Sequence, residues 1–282
     1  MRIRTIIFIC IASSMTVTLA FAQSRFRSPF RGGRNRLTLR SDYPTWKNDP
    51  EFENDVFTFV RIQYDSDVSY GSYNWWDRWD NDYPDGDMNF SFRLHQLTSI
   101  EVAPNPKLLR LTDSELSNYP FIYMEGVQKM VLSGAEQRAL RKYLLNGGFV
   151  MLDDFWSPEG WNNVYRQMRG VFPDREPKQL TLNHEIFHIV FDLKKLPQVT
   201  DIQTWRDGYH YEFEHGPSGG DEGPHFWAYF DDNGRMAALL CHNNDLGDGW
   251  EQEGENEDYF HEYSEKCSYP MGINVIIYAL TH

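Results

Sequence analysis

The chain has 282 residues, 41% of them hydrophobic and 16% aromatic, with a formal charge of −14. A chain of this length buries enough core to fold without disulfide staples, and its acidic balance argues against nucleic acid as a partner. Its 19 Phe, 16 Tyr and 9 Trp are numerous enough both to fill a core and to leave rings that can stack on flat ligands such as sugars.

Met1 to Gln23 reads as a secretory signal. Arg2 and Arg4 form the basic end, Ile6 to Leu19 the apolar run, and Ala20-Phe21-Ala22 a small-x-small cleavage site. The run is broken by Ser13 and Ser14 and is shorter than the roughly 20 residues a membrane anchor needs. Residues 1–22 are therefore expected to leave on export to the periplasm or the extracellular space, taking Cys10 with them and leaving no transmembrane span. With Arg2 and Arg4 removed, 25 basic residues face 41 acidic ones, a balance of −16. Residues 23–54 form a basic arm and lead-in. Arg25, Arg27, Arg31, Arg34, Arg36 and Arg40 occur there before the first acid, among Gly, Pro and Ser, which is the composition of a disordered tail. Such an arm can touch anionic lipid, cell wall or the acidic body; a solvated tail is the simpler reading. Residues 55–282 remain for a single α/β domain.

Within that domain, Phe57 to Tyr64 is β-branched and aromatic and reads as the first strand, ending at Asp65. An insert follows in which Trp75, Trp76, Trp79 and Tyr83 stand among five aspartates from Asp77 to Asp87. It can be a carbohydrate platform, a metal-binding turn or a lid packed on the body. Met88 to Leu97 is expected to be helical, Lys107 to Leu111 a strand ending at Thr112-Asp113, and Ser114 to Ser117 a short helix. Phe121 to Met124 is the third strand, ending at Glu125-Gly126.

Ser133 with Glu136 three residues on is a capping box, and Leu140, Tyr143 and Leu144 form one apolar stripe of the helix it starts. Gly147-Gly148 can stop that helix, after which Phe149 to Leu152 runs apolar without alternation, as a strand covered on both faces does. It ends in Asp153 and Asp154. The βαβαβ alternation implies parallel strands, so Asp65, Asp113, Glu125, Asp153 and Asp154 are expected on one rim of the sheet. Trp156 to Met168 is the next helix. Phe226 to Phe230 and Met236 to Leu240 flank a hairpin turn at Asn233-Gly234, Asn243 to Asp258 reads as an acidic loop, and Met271 to Leu280 is the closing helix.

Seven segments together carry a resemblance: RIQYDS, the DYP of residues 82–84, YPFIYMEG, LRKYLLNGGFVMLDD, NHEIFH, GRMAALLCHNNDLGDGWE and MGINVIIYALT. From about Phe57 to the C-terminus they resemble, in order, the bacterial domain-of-unknown-function family numbered 4159. That family is similar to class I glutamine amidotransferase-like, flavodoxin-like proteins, including the trehalose-utilisation type. The resemblance implies a doubly wound, mostly parallel α/β sheet, with loop and hairpin elaborations in the C-terminal half. Amidotransferases of this fold place a nucleophilic cysteine after the strand that here reads FVML; this chain has Asp153-Asp154-Phe155 there, which leaves thiolate chemistry without its nucleophile.

HEIFH, residues 184–188, satisfies the H-E-x-x-H pattern. On a helix His184 and His188 would bind zinc with Glu185 activating water, and His210, Glu212, Glu214, His215 and His225 are available as third ligands. Phe187, Ile189, Phe191 and Leu193 instead alternate as in a strand, and the other reading is an Asn183-capped turn with His184 at the sheet rim and His188 hydrogen-bonded nearby. No cofactor is expected, with zinc or another divalent cation the alternative. Cys241 and Cys267 can pair or remain as two buried thiols.

The expected ligand-binding residues are Asp65, Glu125, Asp153, Asp154, Trp156 and His184, lining one pocket with a tryptophan wall. Two functions fit them. One is a binding module for a small polar ligand or glycan, working alone or with cell-envelope protein partners. The other is a hydrolase, using His184 with Asp153, Asp154 or Glu125 as acid–base groups, or zinc on HEIFH. Adjacent strand residues face opposite ways, so one of Asp153 and Asp154 is expected in the pocket if the strand is regular through both.

Overall fold

The computed structural model describes residues 44–52, 55–67, 78–210 and 223–282. The signal segment, most of the basic arm, Trp75, Trp76, Glu212, Glu214 and His215 lie outside them. In chain order the elements are β1 (Val60–Ile62), β2 (Asp65–Ser66), α1 (Asp85–Leu97), β3 (Lys107–Leu109), β4 (Phe121–Met124), β5 (Met130–Val131) and α2 (Gly134–Leu145). Then come β6 (Phe149–Phe155), α3 (Ser157–Val171), β7 (Lys178–Gln179), α4 (Ile202–Arg206), β8 (His225–Phe230) and β9 (Met236–His242). The chain ends with α5 (Leu246–Glu251), α6 (Glu257–Tyr259), a π-helical stretch Phe260–Ser268, and α7 (Tyr269–Thr281).

Seven strands form one mixed sheet in the order β3-β1-β4-β6-β9-β8-β7, and β2 pairs with β5 in a separate two-stranded ribbon. The first five of the seven pair in parallel, and β8 and β7 extend the sheet by antiparallel pairing. Helices cover both faces. On one face Phe59, Tyr123, Met151 and Leu239 pack against Phe90 of α1, Trp250 of α5 and Ile273 of α7. On the other Ile62, Ile122, Leu152 and Leu240 pack against Leu140 of α2 and Met168 of α3. The period of two along each strand assigns those faces, which is why β4 and β6 read as continuous apolar runs. No helix among the described residues is long and apolar enough to cross a membrane.

The helix–strand unit at the centre forms for the reasons its sequence states. Ser133 Oγ accepts from Glu136 N at 3.3 Å while Ser133 N donates to Glu136 Oε2 at 2.9 Å, so two otherwise orphaned donors at the start of α2 are satisfied. Gly147 takes φ 102° at the stop, a conformation that a β-carbon disfavours.

One expectation needs correction, and two alternatives left open by the sequence are decided. The segment after Asn243 is not a loop: Asp245 Oδ1 accepts from Asp248 N at 3.0 Å and caps α5, whose Leu246 and Trp250 are buried. Its two glycines and two carboxylates hide the apolar period. HEIFH is neither helix nor strand but a single 3-10 turn, Glu185–Phe187, with Ile186 and Phe187 in the core. Cys241 and Cys267 are not paired; both are free and buried, Cys241 inside β9 and Cys267 in the π-helical stretch, its thiol directed at the Gln198 carbonyl.

Candidate functional site

The order of the parallel strands reverses between β1 and β4, since β3 lies outside β1 while β6 and β9 continue beyond β4. In open α/β sheets the crevice at the carboxyl ends of such a strand pair is where ligands sit. The two strands deliver a charged residue each. Arg61 follows Phe59 on one face of β1, and Glu125 follows Tyr123 on the same face of β4, so alternation carries a core aromatic and then a charge to the rim.

Arg61 is fully buried. Its guanidinium pairs with Asp87 of α1 and with Glu125 Oε2, and lies 4.8 Å from the centre of the Tyr123 ring. Its Nη1 also donates to the carbonyls of Trp79 at 3.2 Å and Asn81 at 3.0 Å. Arg61 thereby ties down the turn that carries Asp82. Burial works against its charge, and the two carboxylates outweigh that, holding its pKa well above the ordinary guanidinium value.

Around this pair the chain gathers further carboxylates. Asp82 enters from the turn before α1, Asp153 and Asp154 from the end of β6, and Asp245 and Asp248 from the start of α5, all buried. Asp153 Oδ2 accepts from the Tyr123 hydroxyl at 3.0 Å and from the backbone N–H of Leu246 at 2.9 Å and Gly247 at 3.3 Å. Asp154 accepts from Trp156 Nε1 at 3.0 Å and Asn81 Nδ2 at 3.3 Å. Both acids are buried at the rim because β6 is irregular there: its register shifts between Leu152 and Phe155, and Asp154 has φ 50°.

Asp82, Asp154, Ser157 and Asn243 are the non-glycine residues with positive φ among those described, and all four stand at this rim. Backbone held in sparsely populated regions concentrates where the surroundings over-determine it, commonly at functional sites. Glu125 Oε1 and Asp82 Oδ2 are buried here without a hydrogen-bond partner, as is Asp153 Oδ1. Burial raises the Glu125 pKa well above the usual carboxylate range, with Arg61 pulling it down and Asp82 pushing it up. Asp245 is raised by burial and then by Asp248 and Asp154.

The Asp153 carboxyl is pushed up to about 7 by burial, against the Tyr123 hydroxyl and the two backbone donors that favour its ionised form. Above about pH 4 an unfolded aspartate has released its proton while folded Asp153 keeps it, so this group makes stability fall as pH rises to about 7, by up to roughly 4 kcal/mol. In Asp153→Asn, urea unfolding at about pH 4.5 and about pH 7.5 is expected to show that slope flattened. An unchanged slope would assign the titration to another group.

Of the residues expected in one pocket, Glu125, Asp153, Asp154 and Trp156 come together. Asp65 does not: it is exposed in β2 and pairs with Arg110 at 3.3 Å. Asp113 is also turned outward, accepting from Arg110 N at 2.8 Å. His184 stands toward the opposite end of the sheet from Asp153. Its ring neighbours are Phe230, at the far end of β8, and Tyr278, whose hydroxyl accepts from Met236 N at the start of β9. The chain doubles back after Leu180 pairs with Phe226, and the His184 Nδ1 caps the 3-10 turn by accepting from Ile186 N at 3.2 Å. Both nitrogens of His188 are engaged, with Asp192 at 2.7 Å and the Leu182 carbonyl at 2.5 Å. Trp79 and Tyr83 are buried against each other, while Trp156 buttresses Asp154.

Sequence reasoning missed Arg61, Asp82, Asp245 and Gly247. A lone arginine inside an apolar β-strand was the available signal for the first, since such a charge needs buried partners. The other three come from segments without periodicity.

Comparison with curated proteins finds no match. Residues 58–280, the stretch that contains every rim residue named above, match the model of the domain of unknown function DUF4159, and the chain belongs to that family.

Proposed function

We propose that the chain is an exported binding module of flavodoxin-like, amidotransferase-like architecture, whose carboxylate rim takes a small hydroxyl-rich ligand such as a polyol or a glycan end. The carrying observation is the pair of buried acceptors without donors, Glu125 Oε1 and Asp82 Oδ2, at the strand reversal. A ligand that brings O–H donors satisfies such acceptors, and leaving them unsatisfied costs about 1–3 kcal/mol each. The parallel strand order, second-first-third-fourth-fifth in the chain, supports the flavodoxin-like reading. Asp153-Asp154-Phe155 in place of a nucleophilic cysteine supports binding over glutaminase chemistry, and His184 at the other end of the sheet leaves the acid–base hydrolase without its histidine.

The experiment purifies the mature chain from the exported fraction, where a mass beginning at Gln23 supports the signal reading, and titrates it calorimetrically with polyols and cell-envelope glycan fragments. Saturable binding that disappears in Glu125→Gln is expected. Binding unaffected by that change would move the site elsewhere, and release of new reducing ends from the glycans would favour the hydrolase.

A further inference from the structure

Three side chains converge at this rim, and hydrogen bonding within the protein accounts for the converging oxygen of Asp245 alone, which accepts from Asp248 N at 3.0 Å. One carboxylate oxygen each from Asp82, Glu125 and Asp245 lies within 4.8 Å of the other two. Two oxygens held by one cation at ligand distances of about 2.4 Å lie no farther apart than that. Glu125 is fully buried, Asp82 is 5% exposed and Asp245 6%. Two of the converging atoms, Glu125 Oε1 and Asp82 Oδ2, have no donor. The nearest guanidinium does not supply one, because Arg61 is committed to Asp87, to Glu125 Oε2 and to two carbonyls. Ionised carboxylates are acceptors only, so oxygens that face one another inside a protein need either a proton or a metal ion between them.

The backbone beside the cluster is shaped to the same end. A β-carbon at Gly247 would collide with Glu125 Oε1 and lie 2.9 Å from Asp82 Oδ2 and 3.1 Å from Asp245 Oδ1, so the space among the three oxygens exists only because residue 247 has no side chain. Three elements distant in sequence are thus held around one point: the turn before α1, the end of β4 and the start of α5. A shared proton bridges two oxygens, whereas three converging on one point suit an ion.

From this we infer that Asp82, Glu125 and Asp245 form a binding site for a hard divalent cation of the calcium, magnesium and manganese class. The donor set contains only carboxylate oxygen, which selects hard ions over zinc or copper. A second triplet, Asp82, Asp248 and Glu251, shares Asp82. Its Asp248 and Glu251 accept from the Gln252 amide, so Asp82 Oδ2 is its one buried oxygen without a donor, whereas the inner triplet has two, Asp82 Oδ2 and Glu125 Oε1, beside an Asp245 Oδ1 that accepts from Asp248 N at 3.0 Å; that difference assigns the ion to the inner triplet. The site goes beyond the hydroxyl-ligand reading and does not rest on it: the ion is held by protein oxygens, and while it is bound Glu125 Oε1 and Asp82 Oδ2 face the ion, so a hydroxyl ligand meets those two oxygens only in the metal-free protein.

The test treats the mature chain with a chelator, removes the chelator, and titrates it separately with calcium, magnesium and manganese chloride in the absence of any organic ligand. Calorimetry and thermal melts are read together. One ion per chain and a rise in melting temperature are expected with at least one of the three metals. Affinity should fall at least about 100-fold in Asp245→Asn and in Glu125→Gln, and remain at the parent value in Asp65→Asn. Circular dichroism of the metal-free variants checks that they are folded. If Glu125→Gln fails to fold for want of Arg61's partner, Asp245→Asn carries the test. No saturable binding, or binding unchanged in Asp245→Asn, would overturn the assignment and leave a proton shared by the carboxylates. Hydroxyl ligands that bind the chelated protein would in that case still support the module reading.

Discussion

Arg61→Met is expected to lower the melting temperature of the protein by about 10 °C, more than any surface change, although methionine matches the arginine stem in length and hydrophobicity. Arg61 is buried between Asp87 and Glu125. Removing one partner of a buried ion pair typically costs about 3–5 kcal/mol, because the remaining charge has neither water nor counter-ion. Here one cation faces two carboxylates, and both must take up protons when it goes. The loss extends to the turn at Trp79 and Asn81, whose carbonyls Arg61 bonds, so Asp82 loses its placement as well. Arg61→Lys keeps the charge but cannot span the four acceptors, and an intermediate melting temperature is expected. A parent-like melt for Arg61→Met would mean that the two carboxyls are already protonated in the folded protein.

The second large effect is expected from the smallest side chain at the rim. Gly247→Ala adds one methyl group where three carboxylate oxygens converge, and each oxygen must move away from it. Alanine also favours α5 by up to about 1 kcal/mol over glycine, so the variant should fold. Calcium, magnesium and manganese affinities should nevertheless fall by about 10–100-fold, with no change in charge or in any ligand residue. Calorimetry of the metal-free variant is the measurement. Parent-like affinity in a folded Gly247→Ala protein would separate the glycine from the site and weaken the case for a built cation cradle.

How far the sequence foretold this site follows from the physics of each segment. Strands β4 and β6 and helix α2 were legible because burial on both faces, a capping box and a glycine stop leave periodic marks. Those marks place Glu125, Asp153 and Asp154 at one rim before any coordinates are known. Asp65 was misplaced because β1 is three residues long and the chain leaves the main sheet before reaching it. His184 was misplaced for a different reason: sequence order suggested that it followed a rim-directed strand, but a reversal after Leu180 returns the chain toward the other end. Asp82 and Asp245 lie in aspartate- and glycine-rich stretches whose local pattern matches solvated loop, and the contacts that bury them come from residues dozens of positions away. The β6 irregularity has no periodic signature either, so the inward placement of both Asp153 and Asp154 required the backbone itself.

The most direct measurement of whether the carboxylate rim is the working centre is an anomalous difference map from crystals of the mature protein grown with manganese. A single strong peak in contact with Asp82, Glu125 and Asp245 beside Gly247, at ligand distances of roughly 2.1–2.4 Å, is the expected result. A peak at His184 and His188, or a rim without one at saturating manganese, would contradict it.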